Sequence, residues 1–143
     1  MQDSMQQTGM YKSGTAHLNF LHNQLLDYKG NFKYNMDIYH IWADKEGDIS
    51  DQDWVNNMKT FLDHLVSEGK MVSYRITRCK MGFRSIENLP EWHIMMEFHN
   101  MAQLEQAFER VAPLEGELED KHKSFNQFVS GNIQHAYFRD WPQ

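Results

Sequence analysis

An α+β domain with a four-stranded antiparallel sheet is the fold class that this chain predicts, and three observations predict it. Between Met36 and Trp141 the elements follow the order β-α-β-β-α-β. The strand-like segments alternate with a period of two, whereas the helical ones carry apolar stripes at spacings of three and four. With 143 residues, 41% hydrophobic and 13% aromatic, the chain has material for one packed core and too little length for two. The element order is that of the split-βαβ, ferredoxin-like unit.

The first 35 residues stand apart from that unit. Met1 to Ser13 is polar and aperiodic, whereas Thr15 to Lys29 reads as a short amphipathic helix with Leu18, Leu21, Leu25 and Tyr28 on one face, stopped by Gly30. Residues 1–35 are therefore expected to form an N-terminal extension and residues 36–143 the main domain.

In the first strand, DIYHIWA, the alternation sets Ile38, His40 and Trp42 against Tyr39 and Ile41; both sides are bulky, so both faces are expected to be covered. Ser50 and Asp53 form a loose capping box ahead of a helix with the stripe Trp54, Met58, Phe61, Leu62 and Leu65, ending near Gly69. The second strand sets Val72, Tyr74 and Ile76 against Ser73, Arg75, Thr77 and Cys79. The third sets Trp92, Ile94, Met96 and Phe98 against His93, Met95, Glu97 and His99. Asn100 caps the next helix, with stripe Leu104, Ala107, Phe108 and Val111, and Pro113 breaks it. An extra helix follows, carrying Leu118, His122, Phe125 and Phe128 and ending at Gly131. The last strand sets Ile133, His135 and Tyr137 against Gln134, Ala136 and Phe138.

Charge and composition exclude several partners. At a net charge of −6, nucleic acid is disfavoured, because phosphate binding needs a basic face and the cluster Arg75, Arg78, Lys80 and Arg84 is short. No apolar run approaches the ~20 residues needed to span a bilayer, so no membrane partner is expected. The lone cysteine, Cys79, rules out an intrachain disulfide, and with no secretory or transit pattern at the N-terminus the expected compartment is the cytoplasm.

Helices on one face of such a sheet leave the other bare. That face is expected to show Arg75, Thr77, Cys79, His93, Met95 and Glu97. A register with Arg75 opposite Glu97 and Cys79 opposite His93 would neutralise its charges. Self-compensated charge mixed with Met and aromatics suits a covered surface, so a symmetric homodimer is expected, with two sheets closing back to back.

The segments MDIYHIWAD, WHIMMEFHN and HAYFRDWP resemble the dimeric α/β-barrel superfamily, which includes antibiotic-biosynthesis-monooxygenase-like and stress-responsive A/B-barrel domains. The resemblance covers about Met36 to Trp141 and is to uncharacterised bacterial members. It implies a dimeric α/β barrel. The superfamily hosts cofactor-free oxygenases, polyketide-type cyclases, haem-degrading enzymes, lactone isomerases and binding proteins, among which fold alone does not choose.

Eight histidines invite a metal reading, but no H-x-x-x-H or H-x-H occurs, so no metal site is expected. For haem, His40, His99 and His135 are the axial candidates. Haem-degrading relatives add a Trp and an Asn, residue types that Trp92 and Asn100 supply beside His99 without matching the relatives' arrangement. Cys79 lies in a strand with no catalytic signature around it, and its duller role is a small interface residue.

The helix-facing side of the sheet is expected to carry His40, Trp42, Tyr74, Trp92, His135 and Tyr137, with His64 and His122 within reach from the helices. A plain core would use Val, Ile and Leu there. So many amphipathic side chains suggest instead a pocket for a small apolar or aromatic molecule; the competing account keeps their polar tips wet at a rim. If the pocket is catalytic, the chemistry expected is that of a cofactor-independent monooxygenase or cyclase, with no cofactor. His40 or His135 would serve as base, and Trp42, Tyr74, Trp92 and Tyr137 would line the site. The alternatives are a haem-binding or haem-degrading protein, and a non-catalytic interaction protein that docks a partner on the Leu18–Leu25 arm.

Overall fold

The structure is a computed structural model that describes residues 35–141; the amphipathic helix expected over Thr15–Lys29 lies outside the described residues. Four strands and three helices follow in order: β1 (Asp37–Ala43), α1 (Asp51–Ser67), β2 (Ser73–Arg78), β3 (Trp92–Phe98), α2 (Met101–Val111), α3 (Gly116–Asn126) and β4 (Gln134–Arg139). The sheet order is β2-β3-β1-β4 with every neighbour antiparallel, the ferredoxin-like arrangement with one helix added before the last strand.

Local chemistry places the helix starts. Ser50 Oγ accepts from the Asp53 N–H at 3.0 Å and donates to its carboxylate at 2.8 Å, so α1 begins on a satisfied cap. Asn100 does the same for α2 through the Gln103 N–H, at 2.9 Å. The stripe Trp54, Met58, Phe61, Leu62 and Leu65 is buried as the spacing predicts. Trp54 is fully buried, and its indole N–H donates to the Phe125 carbonyl at 3.0 Å. Asn57 reaches the Ser124 carbonyl at 3.0 Å, and Lys121 Nζ donates to His64 Nδ1 at 3.0 Å, so three hydrogen bonds among the described residues tie α1 to α3.

The loop after β1 is tied to the segment after α3. Glu46 N–H donates to Phe128 O at 2.8 Å, and Ser130 N–H to Asp44 O at 2.9 Å. Gly47 sits in this crossing with φ +88°, and a Cβ there would stand 3.1 Å from the Phe128 ring. Both backbone sign and space call for glycine.

Four expectations are corrected. In β1 the helix-facing residues are Asp37, Tyr39, Ile41 and Ala43, so His40 and Trp42 lie on the opposite, open face. The strand is bulky on both sides, and a phase error of one residue exchanges them. In the β2–β3 pair the register is offset by two: Arg75 lies opposite Met95, Ser73 opposite Glu97 and Thr77 opposite His93. The Ser73 hydroxyl, not Arg75, meets the Glu97 carboxylate, at 2.5 Å. Cys79 falls past the end of β2, where its N–H bonds Glu91 O at 2.7 Å. Finally, α3 stops at Asn126, short of Phe128 and Gly131. Among the described residues no helix is long and apolar enough to cross a membrane.

Candidate functional site

Sheet and helices do not close completely upon one another. Between them lies a cavity of about 250 Å³. Its floor is Tyr39 and Ile41 of β1 with Ile94, Met96 and Phe98 of β3; its walls are apolar side chains of α1 and α2, with Phe125 from α3. Three lining residues carry a polar side-chain atom: Tyr39, His122 and Asn126. Such a lining suits a small apolar ligand held by few polar contacts, at the lower edge of the roughly 300–1,000 Å³ of common ligand pockets.

The two titratable members differ in setting. Tyr39 stands edge-on to Phe108 at 5.6 Å, and burial raises its phenol above the ordinary value, so it is a protonated donor at neutral pH. His122 packs against Phe61 and Phe125, with ring centres at 5.1 and 5.6 Å. Its Nδ1 lies 3.3 Å from the carboxylate of Glu119, one helical turn earlier and itself buried.

The expected site residues are dispersed. Tyr74 is on the helix side but at the outer edge, where its hydroxyl donates to Asp63 at 2.6 Å; burial, and then that carboxylate, raise its pKa. Trp92 is core, edge-on to Trp54 at 5.3 Å with the Arg78 guanidinium 5.1 Å over its ring. Tyr137 hydrogen-bonds Asp37, and burial followed by that bond pushes its phenol up to about 12. His135, on edge strand β4, is exposed and lies 6.0 Å from the Tyr39 ring. None of these four lines the cavity.

His40 and Trp42 are brought together on the open face. Trp42 stacks on His93 at 4.5 Å, His93 on His40 at 5.1 Å, and Phe138 meets His40 edge-on at 5.0 Å. His40 Nδ1 and His93 Nε2 are 2.9 Å apart. Among the described residues no group of three or more His, Cys, Asp or Glu side chains is placed to hold a metal ion. The three axial candidates for haem, His40, His99 and His135, are all absent from the cavity lining. The residues that sequence reasoning missed, Tyr39 and Asn126, follow from the β1 phase and the α3 end. His122 was within reach but not singled out.

A wider, open groove of about 570 Å³ runs past His64, Glu68, Arg110 and Glu117. Its charges are already matched: Arg110 with Glu68 at 2.9 Å, His64 with Glu68 at 3.0 Å, and Lys121 with Glu117 at 2.8 Å. It is a solvated ion-pair network, and the apolar cavity between sheet and helices is the better candidate.

The fold recurs in solved structures. A dimeric ferredoxin-like protein of unknown function from Jannaschia sp. CCS1 is 14% identical with a TM-score of 0.52, over 72% of this chain and 97% of that one. A dimeric protein of unknown function and ferredoxin-like fold from Bacteroides fragilis NCTC 9343 is 10% identical, TM-score 0.51, over 75% and 100%. A variant of SnoaB, a cofactor-independent oxygenase from Streptomyces nogalater, is 7% identical, TM-score 0.53, over 77% and 100%. At these identities the likeness is one of fold. No curated protein matches the chain. The model of a family of unknown function, DUF6614, matches residues 36–143.

Proposed function

This chain belongs to the DUF6614 family of unknown function, and we propose that it is a homodimeric α/β-barrel protein whose protomers each bind a small apolar or aromatic molecule between sheet and helices. The observation that carries this reading is the cavity of about 250 Å³, whose lining is apolar except for Tyr39, His122 and Asn126. A well-packed domain of this size has few voids larger than a water molecule, and an apolar hole of that volume supports a ligand site. Residues 36–143 form the barrel domain in this reading, with residues 1–35 as an extension.

The homodimer is supported by the open face. Trp42, His93, His40 and Phe138 form a continuous run of rings there, with Met95 beside it. A second copy of the same sheet would remove that surface from water. If the protein is an enzyme, a cofactor-independent monooxygenase or cyclase fits the cavity best. SnoaB, described as a cofactor-independent oxygenase, shares the fold, and a dry pocket with one base and one donor is what such chemistry needs.

Native mass spectrometry of freshly purified protein tests both parts. Dimer mass with a discrete small adduct is the expected result. Ala107 is buried and lines the cavity, so Ala107→Leu fills part of it and should weaken binding of a fluorescent naphthalene probe by about tenfold, or ~1.4 kcal/mol. Wild-type protein that neither carries an adduct nor binds the probe would overturn the pocket reading, and monomer mass at micromolar concentration would overturn the dimer.

A further inference from the structure

We propose that His122 is a general base serving the cavity, held in its working tautomer by Glu119, and that it takes a proton from an apolar substrate bearing an acidic C–H or O–H bond, such as an enolisable ketone or a phenol. The proposal rests on the cavity being a ligand site. It moves the chemistry from the sheet, where sequence reasoning placed it, to the helix that this chain adds to the basic ferredoxin-like order.

The argument begins with Glu119. Its residue is only 7% exposed, and a carboxylate so far out of water is costly unless something compensates it. The side-chain partner it finds is His122 Nδ1, at 3.3 Å. A carboxylate at Nδ1 favours the tautomer with the proton there, and leaves the Nε2 lone pair as the free basic site of the ring. That ring lines the cavity, and Phe61 and Phe125 hold it in place on two sides.

The surroundings suit proton transfer. Tyr39 of β1 is the other titratable group in the lining; the walls from α1 and α2 are apolar, and α3 adds Phe125 and Asn126. Among the described residues no carboxylate or cation lines the cavity to compete for the imidazole. In the step itself, the substrate's C–H bond breaks, its proton goes to His122 Nε2, and its electron pair passes into the adjoining carbonyl to give an enolate. Glu119 stabilises the imidazolium so formed. Tyr39, kept protonated by burial, supplies a hydrogen-bond donor to the same cavity. No oxidant or reductant is consumed. A histidine placed only for packing would need neither the carboxylate behind it nor a face on the hole.

The probe is 5-nitrobenzisoxazole, a small flat molecule on which a base removes the C3 proton. The C–H electrons form the nitrile, the N–O bond breaks, and a coloured cyanonitrophenolate leaves. The full chain is expected to turn it over with saturation. His122→Ala and His122→Gln should each lower kcat/KM by about a hundredfold or more, within the range for a positioned base. Glu119→Gln should cost less and lower kcat with KM unchanged, a split that a merely structural role would not give. Asp120→Asn, the exposed carboxylate next along α3, should leave the rate unchanged.

Saturation that Ala107→Leu abolishes, with the His122 variants as fast as wild type, would overturn the base assignment and leave the pocket intact. No saturation in the wild type, or saturation indifferent to Ala107→Leu, would overturn the pocket reading and this one with it. Two folded His122 variants by circular dichroism keep the comparison valid if one of them is unstable.

Discussion

His40 Nδ1 and His93 Nε2 lie within hydrogen-bond distance, 2.9 Å apart, on adjacent strands of the sheet face that turns away from the helices. Burial holds both imidazoles below their ordinary value of 6.5, and His40 adds a repulsive contribution at His93. The pair can share one proton between two nitrogens, but a second charge has no counterion in the ring stack. The other charged groups on this face are Arg75 of β2 and Glu97 of β3; β4 presents Gln134, Ala136 and Phe138.

The sign of the pH dependence follows. A histidine with a folded pKa below its unfolded one takes up its proton more readily unfolded, so its stabilising contribution is full above about 6.5 and is lost as pH falls through the lowered folded values. Thermal melts should therefore shift downward between pH 7.5 and 5. His40→Gln should flatten that slope. Sedimentation velocity over the same range should show the dimer weakening in parallel, because a second sheet laid on this face makes protonation costlier still. A slope unchanged in His40→Gln would remove the pair as its cause.

Asp37 is a further buried titratable group with a built environment. It is 1% exposed, accepts from Arg139 Nε at 2.5 Å and Nη2 at 3.0 Å, and accepts from the Tyr137 hydroxyl. The Arg139 guanidinium, with Tyr137 helping against the opposing effect of burial, holds its carboxyl below the ordinary 3.8. Arg139→Gln should lower stability in urea melts, because it leaves the buried Asp37 carboxylate without its cation. Tyr137→Phe should cost about 1–2 kcal/mol, the loss of one hydrogen bond to a charged group. The Asp37 contribution is present above pH 3.8 and lost only in stronger acid, so acid titration separates it from the histidine pair.

Much of this architecture was legible in the residues, for identifiable reasons. The α1 stripe and the caps at Ser50 and Asn100 were readable because local chemistry decides them: a hydroxyl or amide one turn ahead of a free N–H, and apolar residues on one arc. The β3 faces were readable because Trp92, Ile94, Met96 and Phe98 are apolar without exception. The β1 faces were not. Ile38, His40 and Trp42 are as bulky as Tyr39 and Ile41, and what settles the phase is long-range: Asp37 must meet Arg139 and Tyr137, and Ala43 must pass under the helices. That one-residue phase moved His40 and Trp42 across the sheet and left Tyr39 on the cavity floor. His122 was read as one member of an apolar stripe, since nothing local distinguishes a histidine facing a hole from one facing packed side chains.

The α1–α3 contact gives a stability prediction independent of any ligand. Trp54 is fully buried and its N–H reaches Phe125 O at 3.0 Å. Trp54→Phe removes the donor and part of the ring and should cost about 2–3 kcal/mol, combining an unmet buried carbonyl with a small void. Phe125 borders the cavity, so the same variant should also loosen probe binding. Denaturant midpoints and probe titration on one preparation check both. An unchanged midpoint would mean that α3 is not held through this contact.

The open face gives the last prediction. Met95 lies opposite His40 on one side and Arg75 on the other, near the middle of the sheet surface that carries the ring stack. If two copies meet there, Met95→Asp introduces a carboxylate from each protomer into an apolar contact, and each must be desolvated. The expected cost is several kcal/mol per dimer, enough to convert dimer to monomer at micromolar concentration in light scattering. Within a protomer the side chain is only partly buried and faces away from the helices, so circular dichroism should report an intact fold. Cavity binding should survive, since the cavity belongs to the other side of the sheet. A Met95→Asp protein that stays dimeric would place the interface elsewhere and leave the ring stack as a surface of the single protomer.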